Sequence, residues 1–293
     1  MKKLICTVMA GAMLALSFAG CGSSSSSANS DSPSGTGITG AITVVSREDG
    51  SGTRGAFTEL LGIVDDQKND ATTETAEITN STSVMISTVA GNNNAIGYVS
   101  LGSLSDTVKA VKVDGVECNA NNVKSGEYKV ARPFNLAYCD GELSEAAQDL
   151  IDYIMSSDGQ AIVEKEGYIP IASGSEYKSK NLDGKITVAG STSVAPLMNV
   201  IADEYKKLNP NVSIEIQESG STAGIQSATE KAVDIGMSSR ELKDEETKTL
   251  TAKQIAMDGI AVIVNQSNTT DDLTSDMIKS IYLGNTTVWD EIQ

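Results

Sequence analysis

The sequence contains no histidine, and this absence removes whole classes of chemistry. Serine–histidine–aspartate hydrolysis, cysteine–histidine proteolysis and histidine-ligated zinc or haem all require an imidazole. Aromatic residues are also scarce, at 4% of the 293 residues, whereas 40% of the residues are hydrophobic. We therefore expect a core built mostly from aliphatic side chains and alanine.

Basic residues are outnumbered: 22 Lys and Arg stand against 39 Asp and Glu, which gives a formal net charge of −17. A nucleic-acid-binding surface needs a basic face, so this composition excludes nucleic acid as a partner. At first it also argues against an anionic ligand. Net charge, however, governs solubility and the far field, whereas recognition depends on donors within a few ångströms. A sheltered anion site therefore remains open.

The first 40 residues predict an export signal followed by a tether. A short basic start precedes an apolar run over residues 4–19 that is too short for a comfortable transmembrane helix. The run ends in Ala-Gly-Cys, typical of a bacterial lipoprotein, with residues 1–20 removed and lipid attached to Cys21. An ordinary secretory signal with a chance cysteine is the alternative. Residues 21–40 are rich in serine and glycine and predict a flexible tether outside the membrane.

Four cysteines are present, and two of them are expected to lie outside the folded domain. Cys6 is removed with the signal, and Cys21 carries the lipid. Cys118 and Cys139 either form a disulfide, which an oxidising compartment would allow, or remain separate thiols. Neither has a CxxC or metal-ligand spacing, so we expect no metal site and no cofactor.

Short β-rich runs alternate with helical stretches after residue 41, which predicts an α/β architecture with helix-covered sheets. A polar segment with two glycines, 173–185, predicts a linker. The predicted strands span residues 42–45, 95–99, 185–188, 212–216, 234–237 and 260–264, and the predicted helical segments span 55–61, 143–166, 196–208 and 221–232.

Turns rich in glycine and hydroxyl residues follow three of the strands, at residues 46–54, 190–193 and 219–224. Such a turn before a helix offers free backbone N–H groups, a positive helix end and hydroxyl donors, which together describe an oxyanion site. A single turn of this kind would indicate only helix capping, because serine and threonine are favoured caps. None contains a Walker Gly-Lys-Ser/Thr sequence or a clean GxGxxG unit, so nucleotide binding is not expected.

Five motifs then identify a resemblance that covers residues 41–293. The most specific is Ser46-Arg47-Glu48-Asp49-Gly50-Ser51-Gly52-Thr53, and the others lie at 189–196, 218–225, 234–240 and 281–290. The chain resembles the PstS-type phosphate-binding lipoproteins of bacterial phosphate ABC transporters. The resemblance implies a two-lobed type II periplasmic-binding fold that closes on inorganic phosphate. It also implies an extracytoplasmic, lipid-anchored monomer that serves a membrane permease and ATPase, without enzymatic activity.

The order of the motifs is rotated relative to that family, which suggests a circular permutation. The second half comes first, at 41–172, and the first half follows at 186–293, so that 173–185 would join the old ends. A gene fragment that lacks a piece is the alternative, although no motif is missing. Compact domains tolerate such rotation when their termini lie close together.

The resemblance implies that two crossovers connect the lobes. They would lie near residues 132–134 and 257–259. Lobe one would then combine 41–132 with 262–293, and lobe two would be the continuous stretch 136–258, which contains the linker.

The matched motifs also imply phosphate ligands. Arg47 corresponds to the charged ligand, and a guanidinium fits an oxyanion bidentately, although a surface salt bridge is the alternative. Asp49 is expected to pair with Arg47 and aim it. Hydroxyls and amides of the turns would supply the remaining donors: Thr192, Ser193, Ser221, Ser51, Gly52 and Thr53.

One position departs from the family pattern. Ser239 stands where many members have an aspartate that accepts the proton of hydrogen phosphate and so disfavours sulfate. Selectivity is therefore open, and a binding protein or sensor for sulfate, molybdate or a phosphonate is the second hypothesis. Arg240 adds positive charge to the site or pairs with Glu241 or Asp244. A hydrolase that uses the Ser-x-x-Lys sequence at 175–178 is the third hypothesis, and the missing histidine argues against it.

Overall fold

The computed structural model describes residues 38–172 and 174–292. The predicted signal 1–20, the predicted lipid site Cys21 and nearly all of the predicted tether lie outside these residues. No helix in the described ranges is long and apolar enough to cross a membrane.

Helices and strands alternate along the chain, so the α/β prediction is confirmed. The strands are β1 (Thr43–Arg47), β2 (Glu77–Thr79), β3 (Ala95–Ser100), β4 (Val108–Ala110), β5 (Lys112–Val113), β6 (Ala131–Tyr138), β7 (Asp183–Gly190), β8 (Asn211–Glu218), β9 (Ile235–Ser238), β10 (Thr251–Asn265) and β11 (Asp272–Leu273). The helices are α1 (Gly52–Leu60), α2 (Thr82–Gly91), α3 (Ala120–Ser125), α4 (Glu145–Met155), α5 (Ser157–Lys165), α6 (Ala195–Leu208), α7 (Ser221–Thr229) and α8 (Ser275–Tyr282).

Within the described residues, nine strands form one continuous sheet with the order β2-β1-β3-β10-β6-β9-β7-β8, and β4 pairs with β10. Pairing is parallel around β1 and around β7, and antiparallel where β10 meets β3 and β6. Parallel pairs require crossover connections, and α1, α2, α6 and α7 supply them. The two parallel groups therefore lie at opposite ends of the sheet, with the long antiparallel strand β10 between them.

Buried apolar side chains form two large clusters, here called core one and core two. Core one draws on β1, α1, α2, β3, α8 and Ile260–Val264 of β10. Core two draws on β6, α4, α5, β7, α6, β9 and on Ile255 and Ala256 of β10. Strand β10 therefore belongs to both cores, and it changes from one to the other between Ala256 and Ile260.

Two predicted elements differ from the structure. The helical segment predicted at 143–166 is two helices, because Ser156 adopts an extended conformation and its hydroxyl caps α5 by accepting the N–H of Gly159. The strand predicted at 260–264 is part of the fifteen-residue β10. Thr251–Gln254 are not buried, whereas Ile255–Asn265 are buried on both faces apart from Met257, so a single local period does not describe the whole strand.

The segment predicted as a linker has no helix or strand from residue 174 to residue 182, where β7 begins at Asp183. It is nevertheless fixed to the protein. The hydroxyl of Tyr177 donates to Asp149, a completely buried carboxylate of α4, and Lys180 makes an ion pair with the same carboxylate at 2.8 Å. This segment is therefore a strap that packs on core two.

The two ends of the described chain lie side by side. Ile42 N–H donates to the carbonyl of Thr287 at 2.8 Å, and Trp289 N–H donates to the carbonyl of Gly40 at 3.0 Å. Cys118 is buried and Cys139 is half-buried, and both are free thiols, so no disulfide joins them.

Candidate functional site

The predicted hydroxyl-rich turns meet in one place. Strand β1 leads into α1, β7 leads into α6, and β8 leads into α7, so each turn lies at a carboxyl end of a strand and at the start of a helix. The Thr222 N–H donates to the carbonyl of Gly50 at 3.0 Å, which joins the turn after β8 to the turn after β1. The site therefore has two faces, which we call the core-one face (β1, α1, α2) and the core-two face (β7, α6, α7, β9).

Arg47 is the buried cation of the core-one face, with only 2% of its surface exposed. Its Nε and Nη2 each donate to Glu48 at 2.8 Å. Nη2 also donates to the Thr192 hydroxyl at 3.0 Å, and Nη1 to the Thr82 hydroxyl at 3.4 Å. One edge of the guanidinium is thus held by a carboxylate, and the remaining N–H groups point at hydroxyl groups from both faces.

The assignment of Asp49 as the partner of Arg47 is wrong. The Asp49 side chain is 98% exposed and pairs with Arg54 at 3.0 Å, while Glu48 takes the bidentate position on Arg47. The turn after β1 points residue 48 along the guanidinium and residue 49 outward, and this side-chain direction depends on the backbone rather than on residue type.

A chain of buried hydroxyl groups joins the two faces. Thr53 Oγ1 lies 2.9 Å from Ser193 Oγ, which lies 3.2 Å from Thr82 Oγ1. Thr82 Oγ1 in turn lies 3.1 Å from Thr192 Oγ1. Hydroxyl groups both donate and accept, so in this arrangement they satisfy one another and the guanidinium.

Ser221 and Ser239 form a second hydroxyl pair, with both residues completely buried on the core-two face. Their Oγ atoms are 3.4 Å apart, and Ser239 N–H donates to Ser221 Oγ at 3.1 Å. Gly52 of α1 packs directly against this pair: a Cβ atom at Gly52 would overlap Ser221 Oγ and lie 2.8 Å from Ser239 Oγ. Contact between the two faces therefore requires glycine at this position.

Helix capping accounts for the position of one predicted ligand, Ser51, but not for that of Thr192, Ser193 or Ser221. Ser51 caps α1 by accepting the N–H of Arg54 at 3.4 Å, and its own contacts do not extend to the hydroxyl chain. Among the described helices, α6 and α7 follow the N-cap residues Val194 and Gly220 and have no side-chain cap. Thr192, Ser193 and Ser221 are therefore buried for a reason other than capping of their helices.

Sequence reasoning missed Thr82, which contacts three of the predicted site residues. Its helix α2 follows β2 through Asn80 and the capping Ser81. This turn shares the strand–hydroxyl–helix pattern of the other three but has no glycine, which is why its signal was weaker. Tyr98 was also missed: its hydroxyl accepts the N–H of Arg47 at 3.1 Å.

Two further arginines near the site are already engaged. Arg54 pairs with Asp70 at 2.6 Å and donates to the Arg47 carbonyl at 2.9 Å. Arg240 donates from both Nη atoms to the Glu246 carboxylate at 2.8 Å, so its ion-pair partner is neither Glu241 nor Asp244. Its Nη1 also donates to the backbone carbonyl of Glu241 at 2.8 Å. Arg47 is therefore the cation whose N–H groups face the hydroxyl chain.

The chemistry of the site is that of a donor cluster. Burial raises the pKa of Tyr98 to about 12, so its phenol stays neutral and acts as a hydrogen-bonding group. No group of three or more His, Cys, Asp or Glu side chains suited to a metal occurs in the described part of the chain. Buried hydroxyls, one guanidinium and uncapped helix starts are the groups that hold a tetrahedral oxyanion.

Known proteins resemble the whole chain. A family model described as the PBP superfamily domain matches residues 26–158 and 175–293. The phosphate-binding protein PstS 2 of Streptococcus agalactiae is 47% identical over 296 residues, which cover 99% of this chain and 98% of that protein. A relative of the same name in Streptococcus pneumoniae is 48% identical over 87% of this chain and 89% of its own length.

A solved structure agrees in fold. The crystal structure of a phosphate-binding protein of a phosphate ABC transporter from Streptococcus pneumoniae aligns with a TM-score of 0.70 and 48% identity. The alignment covers 87% of this chain and 100% of that one. The chain therefore belongs to the PBP superfamily and, within it, to the family of PstS phosphate-binding proteins.

Proposed function

We propose that this protein binds inorganic phosphate outside the cell and delivers it to an ABC importer, without catalysing a reaction. The observation that carries the proposal is the convergence of Arg47 with buried hydroxyls from two separate faces. The names of the relatives from the two streptococci support the same ligand.

The binding mechanism follows from the donors. A phosphate that enters the cluster loses its water and gains hydrogen bonds to groups that now bond to one another. The expected ligands are Arg47, Ser51, Gly52, Thr53, Thr192, Ser193, Ser221 and Ser239, and we add Thr82. Because these donors are already held in place, little ordering entropy is lost on binding. Approach of the two faces would then shield the anion from water.

Ser239 favours a second candidate ligand class. A hydroxyl at this buried position accepts or donates, so it does not reject a fully ionised oxyanion as a carboxylate would. Sulfate, molybdate and phosphonates are therefore the competing ligands for this chain.

Calorimetric titration of the purified protein with phosphate tests the proposal, with sulfate, molybdate and a phosphonate as competitors at several pH values. We expect phosphate to bind most tightly. If sulfate, molybdate or the phosphonate binds more tightly than phosphate, that anion is the ligand and the second candidate is correct. Absence of binding to all four anions would reject the anion site.

The arrangement around the site is also proposed. Lobe one comprises 41–132 and 262–293, and lobe two comprises 136–258; the separate apolar cores support this division.

A lipid on Cys21 would hold the monomer at the membrane beside the permease and ATPase. Labelling with radioactive palmitate, compared between the wild type and Cys21→Ala, tests the anchor: label that persists in the variant would reject it.

The rotated segment order is a proposal as well. It is supported by the adjacent chain ends at Gly40 and Trp289, as a permutation requires. A gene that joins these ends by a short linker and opens the chain within the strap should encode a protein that folds and binds the same anion. Failure of this protein to fold would argue against the rotation.

A further inference from the structure

A completely buried ion pair lies where β6 and β10 run side by side. Arg132 stands directly opposite Asp258 in the antiparallel register. Arg132 Nε and Nη2 donate to Asp258 Oδ2 at 3.2 and 3.1 Å, and the side chains are 1% and 0% exposed. The two residues lie in the segments predicted as the crossovers between lobes.

Arg132 and Asp258 each make further hydrogen bonds to residues outside β6 and β10. Asp258 Oδ1 accepts the Ser100 hydroxyl at 2.8 Å and the N–H of Leu101 at 3.1 Å, at the end of β3. Arg132 Nη1 donates to the carbonyl of Ser239 at 3.1 Å, directly after β9. The ion pair therefore links the end of a core-one strand to the end of a core-two strand.

Both linked strand ends lead into the anion site. On the core-two face, Ser239 donates its N–H to Ser221 Oγ and packs its hydroxyl beside it. On the core-one face, β3 carries Tyr98, whose hydroxyl accepts the N–H of Arg47. A change in the geometry of the ion pair would thus shift both faces relative to each other, although neither charged group belongs to the hydroxyl chain.

Stability alone is a weak explanation for this pair. Desolvation of two charges consumes much of their mutual attraction, and apolar replacements of buried ion pairs are often neutral or stabilising. Burial raises the pKa of Asp258 to about 6, although Arg132 and the bonds from Ser100 and Leu101 lower it. Burial likewise lowers the pKa of Arg132. The directional bonds of the pair, rather than its net energy, are what the fold gains.

We propose that Arg132 and Asp258 are positioning residues that set the distance between the two faces of the anion site and hold Ser239 in place for the ligand. This inference rests on the proposed function. To that function the inference adds Arg132 and Asp258 as residues that control phosphate affinity without contacting the anion.

The test compares Arg132→Met, Arg132→Lys and Asp258→Asn with the wild type, by calorimetry with inorganic phosphate and by thermal unfolding. We expect Arg132→Met to weaken phosphate binding about tenfold, since hydrogen bonds to charged groups are the strong ones. Arg132→Lys should restore part of the affinity, because lysine keeps the charge but lacks the fork that reaches Asp258 and Ser239 together. If Arg132→Met does not fold, the two conservative variants carry the test.

Lys180→Met is the matched control, because it removes the ion-pair partner of another buried aspartate, Asp149, and leaves the tyrosine hydrogen bonds to that carboxylate in place. We expect it to lower the unfolding temperature and leave phosphate affinity unchanged. An Arg132→Met variant that behaves in the same way would overturn the proposal, since its effect would then be on stability alone.

The pH profile gives a readout that a purely structural role would not move. The charged and titratable groups around Asp258 are Arg132 on β6, Tyr168 after α5, Cys118 before α3 and Tyr128 before β6. The affinity ratio between the wild type and Asp258→Asn cancels the titration of phosphate itself. This ratio should be largest at neutral pH and approach one below pH 6, where the aspartate becomes protonated and neutral like asparagine. A ratio that stays at one at every pH would contradict the proposal, because the carboxylate would then have no influence on affinity.

A crystal structure of Arg132→Met separates this proposal from the proposed function, because it needs no ligand. Displacement of the Ser239 carbonyl and of the Ser239–Ser221 contact is expected. An unchanged Ser239 would overturn the positioning role even if the wild type binds phosphate. A displaced Ser239 would support it even if the wild type prefers another oxyanion.

Discussion

The two faces of the anion site use different chemistry. The core-one face supplies the guanidinium of Arg47, together with the carboxylate of Glu48 that aims it. The core-two face supplies hydroxyls and two helix starts without side-chain caps, while its own Arg240 is engaged by Glu246. Charge is thus fixed on one side, and neutral donors on the other side complete the cluster only when the faces meet. This division predicts that charge and contact contribute separately to affinity.

Removal of the charge should have the largest effect. Arg47→Met eliminates every guanidinium bond and leaves Glu48 in a half-buried position without its partner. We expect phosphate affinity to fall about 100-fold or more, as for loss of one member of a buried charge pair. Titration calorimetry measures this loss.

Arg240→Met is the matched control on the other face. Because Glu246 already occupies both Nη atoms of Arg240, we expect less than about a twofold change in affinity. If Arg47→Met and Arg240→Met weaken phosphate binding equally, both faces supply charge, and the proposed difference between the two faces is wrong.

Obstructed contact between the faces should have the next largest effect. Gly52→Ala places a methyl group against Ser221 and Ser239, while alanine itself suits the start of a helix. Overpacking of this kind typically costs 1–3 kcal/mol, so we expect about a 30-fold loss of phosphate affinity.

Gly55→Ala in the same helix tests this explanation, because its nearest neighbour would be Arg240 Cδ at an ordinary 3.7 Å. Calorimetry on both variants should show a loss only for Gly52→Ala. Normal affinity in Gly52→Ala would show that the faces need not approach this closely when phosphate binds.

Loss of a single hydroxyl should have a moderate effect. Thr82→Val keeps the shape of the side chain and removes the contacts to Arg47, Thr192 and Ser193. We expect about a tenfold weaker binding of phosphate, measured by calorimetry, in line with one hydrogen bond. Thr58→Val is the control, since that buried hydroxyl donates within its own helix. Equal affinities of the two variants would remove Thr82 from the site.

A carboxylate on the neutral face should have the smallest effect on phosphate affinity and act mainly on selectivity. Ser239→Asp introduces an acceptor that a protonated oxyanion satisfies and a fully ionised one does not. We expect phosphate affinity to change only a few-fold while sulfate affinity falls about tenfold or more, since an unpaired buried acceptor is costly. Competition titrations measure the ratio. An unchanged ratio would show that position 239 does not determine selectivity.

Much of this site was predictable because its signals are local. Glycine and hydroxyl residues after a strand and before a helix mark α1, α6 and α7, and the structure brings Thr53, Thr192 and Ser193 into contact with one another or through Thr82. The partner of Arg47 was not predictable, because Glu48 and Asp49 are both acidic and only the backbone of the turn decides which one faces the guanidinium.

Local pattern also failed where tertiary packing overrides it. The apolar spacing predicts one helical segment over 143–166, yet the chain bends at Ser156, within the polar run 156–160, so that α4 and α5 both pack on core two. The polar sequence of the strap, with its two glycines, predicts a linker and gives no sign of the contacts that hold it. Its role depends on Asp149, which is buried and needs partners to compensate for its lost hydration.

The sequence by itself determined the α/β class, the absence of histidine chemistry and the kind of donor that each turn supplies, because these depend on composition and on neighbours along the chain. Only the tertiary structure decided that Thr82 meets Thr192 across 110 residues, that Gly52 fits against Ser221, and that Arg132 joins Asp258 to Ser239. These contacts form between distant segments, and their distances are set by how β10 passes from one core to the other.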